Sequence, residues 1–105
     1  PPPRSPAYMA PEQLRGEELT TAIDAWALGL ALWEMMMERK PWDNRYADFE
    51  SLSTAVLGGE RVPLPADPGP FPQIYCDLIA LSGKDSPQDR PTVQRMRDDL
   101  EAGLQ

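Results

Sequence analysis

The sequence contains no histidine and a single cysteine, Cys76. Without histidine, no Ser-His-Asp or Cys-His nucleophilic centre can be built from this chain. A Cys/His zinc site is excluded as well, and one thiol cannot close an intrachain disulfide. No metal site is expected. Positive charge is also scarce: 10 Lys and Arg against 17 Asp and Glu leave a net charge of −7. Phosphate backbones are held by clustered Lys and Arg, so no nucleic-acid partner is expected. Long hydrophobic runs are missing. The most apolar stretch, Ala22 to Met37, is interrupted by Asp24 and Glu34 and is shorter than the roughly 20 apolar residues of a membrane span. No membrane partner is expected. The start, Pro1-Pro2-Pro3-Arg4, has no apolar run behind its positive charge, so no secretory signal is read there and a cytoplasmic location is the default. The absence of an initiating Met fits a piece of a longer chain.

What the chain has in abundance is proline, with 13 residues that mark its joints. Proline removes a backbone donor and restricts the residue before it, so Pro1 to Pro11 and Pro63 to Pro72 read as extended loops. Helical periodicity fills the segments between. Ala22 to Met37 is apolar on every face, the pattern of a helix surrounded by protein, and Thr20 or Thr21 can cap its start. The Met35-Met36-Met37 run at its end reads as core filling rather than as a Met-rich binding surface. Phe49, Leu52 and Val56 recur at helical spacing before a Gly58-Gly59 stop. Ile74, Leu78 and Leu81 repeat the pattern, with Ile79 widening the stripe. Val93, Met96 and Leu100 do so again, with Thr92 as cap and Gly103 as terminator. No alternating run marks a strand. The expected fold is all-α, with helices over 21–38, 47–57, 73–82 and 92–102. At 105 residues it is one small domain or part of a larger one.

Four short motifs then occur in series. Pro6-Ala7-Tyr8-Met9-Ala10-Pro11-Glu12 resembles the end of a protein-kinase activation segment, closed by Ala-Pro-Glu. Asp24-Ala25-Trp26-Ala27-Leu28-Gly29, followed by Leu32-Trp33-Glu34, is similar to the Asp-x-Trp-x-x-Gly of that family's central large-lobe helix. Lys40-Pro41-Trp42 is similar to the turn after it, and Asp89-Arg90-Pro91-Thr92 to the Arg-Pro-Thr that opens the last helix. Each motif alone is weak. In this order, with helices and loops between them, they identify the C-terminal half of a kinase large lobe, with 1–12 as the end of the activation segment.

The resemblance implies roles. Glu12 and Arg90 would form a buried ion pair tying the activation segment's end to the lobe. Asp24 would hydrogen-bond the catalytic-loop backbone, which this chain does not contain, leaving Asp24 partly unsatisfied. Trp26 and Gly29 belong to the same structural helix. Ser5, Pro6, Ala7, Tyr8 and Met9 would form the substrate-binding rim, Ser5 keeping the hydroxyl of the family's usual Thr, while Arg4 stands where Gly is usual. Tyr8 in place of a Trp favours Ser/Thr specificity, and Trp33-Glu34 and Arg90-Pro91-Thr92 favour the tyrosine-kinase-like group. Two departures concern packing. Ser82-Gly83 stands where many of that group have Cys-Trp, and Glu38-Arg39 stands where the turn usually has Gly.

No catalytic residue is assigned, because the chain has no G-x-G-x-x-G, no His-Arg-Asp and no Asp-Phe-Gly. Phosphoryl transfer depends on those parts. ATP and Mg would therefore be cofactors of the parent domain, with none bound by this piece, and the partners would be a protein substrate and the rest of the domain. Three readings follow: part of an active Ser/Thr kinase, part of a pseudokinase that serves as a binding scaffold, or an independent acidic helical docking module. A kinase half should expose apolar surface on the central helix, where the lobe's earlier helices would pack.

Overall fold

A computed structural model describes residues 6–42 and 45–103. Five α-helices follow one another: α1 (Pro11–Arg15), α2 (Ala22–Met37), α3 (Phe49–Leu57), α4 (Gln73–Ser82) and α5 (Val93–Gly103). Two 3-10 turns, Pro6–Tyr8 and Pro87–Asp89, precede α1 and α5. No strand occurs among the described residues, and no helix there is long and apolar enough to cross a membrane.

The central element is α2. Ala25, Trp26, Gly29, Leu30, Leu32 and Trp33 are buried along it, and burying a large apolar side chain contributes about 1.5–3 kcal/mol. The helix packs chiefly on α4, whose Tyr75, Cys76, Leu78 and Ile79 are buried. This contact explains the glycine at 29. A Cβ there would lie 1.8 Å from Ser82 Oγ and 2.9 Å from Ser82 Cβ, so Ser82 occupies the space a side chain would need. The proline-rich loop is tied down where Trp33 Nε1 donates to the Pro63 carbonyl at 2.7 Å.

Helix starts follow local chemistry. Thr20 Oγ1 accepts from the Ala22 N–H, Asp48 Oδ1 from Ser51 and Thr92 Oγ1 from Arg95, each satisfying a donor that the first helical turn leaves free. Thr21 occupies the N-cap position of α2 but makes no side-chain cap. The expected glycine stop after Leu57 is present at Gly58. At Gly103, read from sequence as a terminator, space is tight. It is the last described helical residue, and a Cβ on it would fall 2.7 Å from Ile74 Cγ2. The close approach of α5 to Ile74 of α4 leaves little room there for a side chain. Glu38 ends α2 at φ 55, a left-handed conformation that Gly adopts without penalty and other residues do not.

α2 is not covered on all sides, unlike the reading of a helix apolar all round. Asp24, Ala31 and Met35 form an exposed stripe at helical spacing. Met35 is 48 % exposed, and Met36 and Met37 are only partly buried against the core. The Met run is thus core filling on one side only, because each successive residue turns about a quarter of the way round the helix.

Candidate functional site

Glu12 and Arg90 lie 78 residues apart in sequence and meet in the interior. Glu12 sits in the first turn of α1, and Arg90 caps the turn before α5. Their side chains are 1 % and 0 % exposed. Arg90 Nη1 donates to Glu12 Oε2 and Nη2 to Oε1, both at 2.7 Å. The remaining guanidinium protons go to backbone carbonyls: Nε to Lys84 at 2.8 Å, Nη1 to Ala22 at 3.1 Å and Nη2 to Asp85 at 3.1 Å. A guanidinium has five N–H donors in a planar fork, and here every one has an acceptor. Burial alone would push the Glu12 carboxyl up, but the Arg90 bonds outweigh it and hold it below its usual range.

One guanidinium carries structure from three places. It joins α1 to the start of α2 through Ala22, and both to the loop after α4 through Lys84 and Asp85. Trp26 forms its floor, with Arg90 Cζ 5.2 Å from the indole centroid. A second arginine, Arg61, lies 4.8 Å from that centroid. Its Nε donates to Gly83 O at 2.6 Å, and Nη1 donates to Val56 O and Glu60 O. Among the described residues no carboxylate pairs with Arg61.

The segment Pro6–Tyr8, with Met9 after it, is held against the lobe by two side chains. Tyr8 Oη donates to Glu34 Oε1 on α2. Burial first, and then the Glu34 carboxylate, pushes the phenol up to about 12, so it stays protonated as a donor. Trp42 Nε1 donates to Ala7 O at 3.1 Å, and Trp42 itself is at φ 69. A bulky residue in the left-handed region is strained, and the buried indole with its bond to Ala7 offsets that strain. Pro6, Ala7, Trp42, Tyr46, Asp48 and Phe49 together line a shallow groove beside the segment.

Of the residues singled out from sequence, Glu12, Arg90 and Trp26 come together at one point. Gly29 lies one turn further along α2, against Ser82. Asp24 lies exposed in the first turn of α2 and is not without a partner. Pro6, Ala7, Tyr8 and Met9 follow one another in the turn ahead of α1, and Ser5 lies outside the described residues, as does Arg4. Sequence reasoning placed Glu34 and Trp42 in motifs without seeing their bonds to Tyr8 and Ala7, and it missed Arg61 altogether. Glu34 had a signal, as one of two acids in an otherwise apolar helix. Trp42 had one too, since an indole in a proline turn needs an acceptor when buried. Arg61 had none, because a loop arginine among polar residues is usually solvated.

ATP with Mg does not fit the residues present. Among the described residues no cluster of His, Cys, Asp or Glu could hold a metal ion, and the glycine-rich and acidic motifs that grip triphosphate are absent from the sequence.

Comparison with known proteins agrees with this geometry. The family model described as "Protein kinase domain" matches residues 3–99. A probable LIM domain-containing serine/threonine-protein kinase of Dictyostelium discoideum is 33 % identical over 93 residues, covering 89 % of this chain and 14 % of the relative. A mitogen-activated protein kinase kinase kinase of Caenorhabditis elegans is 31 % identical over 96 residues, covering 90 % and 12 %. A dual specificity protein kinase of Dictyostelium discoideum is 30 % identical over 88 residues, covering 84 % and 13 %. The chain thus spans about a seventh or less of these relatives' length. With Ala-Pro-Glu locked to Arg-Pro-Thr through Glu12 and Arg90, and the family model spanning both, the chain belongs to the protein kinase domain family and forms an all-α part of its large lobe.

Proposed function

We propose that this chain is the frame and substrate-facing rim of a Ser/Thr protein kinase, and that the domain it completes transfers the γ-phosphate of ATP to a protein hydroxyl. The observation that carries this reading is the buried Glu12–Arg90 pair, which fixes the end of the rim to the body of the lobe. Phosphoryl transfer is largely positioning and charge stabilisation, so a rim held by a saturated guanidinium serves it directly. Tyr8–Glu34 and Trp42–Ala7 hold the other end of the same segment. Ser5 to Met9 then receive the protein substrate.

ATP and Mg bind the parent domain outside this chain, and the chain alone transfers no phosphate. The rest of the domain docks on the exposed stripe of α2 that carries Asp24, Ala31 and Met35. Ser/Thr specificity is supported by the relatives' names, among which one dual-specificity kinase also occurs. The test is radiolabelled phosphate transfer to Ser, Thr and Tyr peptides, by the isolated chain and by the chain joined to its upstream segment. Transfer to Ser and Thr by the joined protein alone is expected. Transfer by the isolated chain would overturn the frame reading. A joined protein that folds but neither binds ATP nor transfers phosphate would make it a pseudokinase scaffold.

A further inference from the structure

Positive charge is scarce in this chain, yet three of its ten Lys and Arg crowd into residues 39–45. Two of them, Arg39 and Arg45, line an open groove of about 320 Å³ together with Trp33, Trp42 and Pro63. No carboxylate is among these lining residues, although the chain carries 17 acids. None of them belongs to the α2 stripe on which the rest of the domain docks.

The cations of this groove are not consumed by the protein itself. Arg39 is exposed, its Cζ lies 5.4 Å from the Trp33 ring centroid, and among the described residues no carboxylate pairs with it. Arg45 is exposed and meets Glu60 only at 3.8 Å, while Lys40, just beyond the lining, meets Glu34 only at 3.9 Å. Both separations exceed a hydrogen bond, unlike the 2.7 Å bonds of Arg90 to Glu12. Stacking on an indole steadies a guanidinium while leaving its edge donors free. The floor offers no competing donor, since the N–H of Trp33 is spent on Pro63 O and that of Trp42 on Ala7 O. The turn that presents the cations is also held in shape. Glu38 and Trp42, the two non-glycine residues at positive φ among those described, bracket Arg39 and Lys40. Strain of this kind persists only where the surroundings fix it, and it clusters at ligand clamps.

These features select an occupant. A lone small anion at exposed arginines is weakly held and screened by salt. A nucleic acid needs more cations than this patch has, in a chain of net charge −7. A peptide that sets carboxylates on both guanidinia and an apolar side chain on the floor gains from all of these contacts at once, and arginine clusters commonly read acidic motifs. We propose that the groove of Trp33, Arg39, Trp42, Arg45 and Pro63 docks an acidic segment of a partner protein. This concerns binding, and it stands apart from the phosphate-transfer reading.

The test uses the chain joined to its upstream segment, with labelled tryptophan indoles read by NMR. The probe is a short peptide of alternating glutamate and leucine, and its comparison has glutamine for glutamate. The glutamate peptide shifts the Trp33 and Trp42 indole signals saturably and leaves that of Trp26 in place. It binds about tenfold more tightly than the glutamine peptide, the worth of two exposed ion pairs, and added salt erodes the difference. Arg39→Gln/Arg45→Gln removes the preference. Arg95→Gln/Arg97→Gln subtracts the same charge from exposed positions of α5 and keeps it. Arg39→Gln alone reduces the preference, and serves if the double variant does not fold. No saturable shift, equal affinity for the two peptides, a preference that survives in a folded groove variant, or an equal loss in the α5 variant overturns the proposal. Failure of both groove variants to fold would make these cations structural, and overturns it too.

Discussion

Trp26 has an arginine at each of two places on its ring, and the two are held in opposite ways. Arg90, 5.2 Å from the indole centroid, has a carboxylate on its fork and an acceptor for every proton. Arg61, at 4.8 Å, is anchored through Nε and Nη1 to carbonyls alone and borders a hollow of about 220 Å³ between α2, α4 and the loop after α3. Burial lowers the pKa of Arg61, nearby Asp85 opposes this, and the like charge of Arg90 adds to the lowering. The difference separates two uses of one residue type. Arg90 closes a joint between distant segments, so its removal strands a charge. Arg61 ties the loop after α3 to the end of α4 through Gly83, and its acceptors are all neutral carbonyls.

The comparison breaks most easily at the joint. Arg90→Ala leaves the Glu12 carboxylate buried and unpaired, a loss of about 3–5 kcal/mol in the stability of the intact protein. Arg90→Lys keeps the charge but forfeits the fork, and should fall between Ala and the native protein. Chemical denaturation reads both, and a cost under about 1 kcal/mol for Arg90→Ala would mean the pair is ornamental. The pH dependence carries the same sign. The folded Glu12 pKa is depressed, so its contribution is present above the ordinary carboxylate range, around 4.3. It is lost as pH falls from that range through the folded value. An acid titration should therefore show a destabilisation that a Glu12→Met/Arg90→Met double variant lacks.

Much of this was legible in the sequence, and the reasons are specific. The α2 helix could be read because periodicity and composition agree there. Glu12 and Arg90 could be read as partners only through the motifs around them, since nothing in the spacing of two charges 78 residues apart predicts that they meet. The exposed stripe on α2 was harder, because an apolar Met35 gives no sign of which neighbours are present. Arg61 was illegible. Its function depends on where the carbonyls of Val56 and Gly83 point, and backbone direction in a loop leaves no trace in side-chain pattern. The hollow beside Gly83 was half visible, since Ser82-Gly83 announced missing bulk.

The wall of that hollow sharpens the contrast at intermediate cost. Gly83 has room for a side chain, whereas Gly29, on the same wall, does not, since Ser82 fills the space its Cβ would take. Gly29→Ala should destabilise by about 1–3 kcal/mol through overpacking of the α2–α4 contact. Ser82→Gly in the same protein should recover most of that loss, because both clashing atoms belong to the Ser82 side chain. Thermal melts of the single and double variants measure the recovery. Additive costs would show that the tightness lies elsewhere in the contact.

The smallest effect belongs to Arg61, and it decides whether the two arginines differ as described. Arg61→Met keeps a long apolar stem against Trp26 while removing the guanidinium. Three carbonyls lose a donor, but the Val56 carbonyl still accepts from the Gly59 N–H at 3.0 Å. Glu60 and Gly83 are only partly buried, so water can reach them. Removing the cation also relieves its repulsion with Arg90. The net loss should be about 1 kcal/mol, the worth of a hydrogen bond rather than of a stranded charge. Denaturation midpoints of Arg61→Met and Arg90→Ala, taken side by side, give the ratio. A loss for Arg61→Met as large as that for Arg90→Ala would mean that carbonyls alone can make a guanidinium indispensable, and that Arg61 is a second joint of the frame.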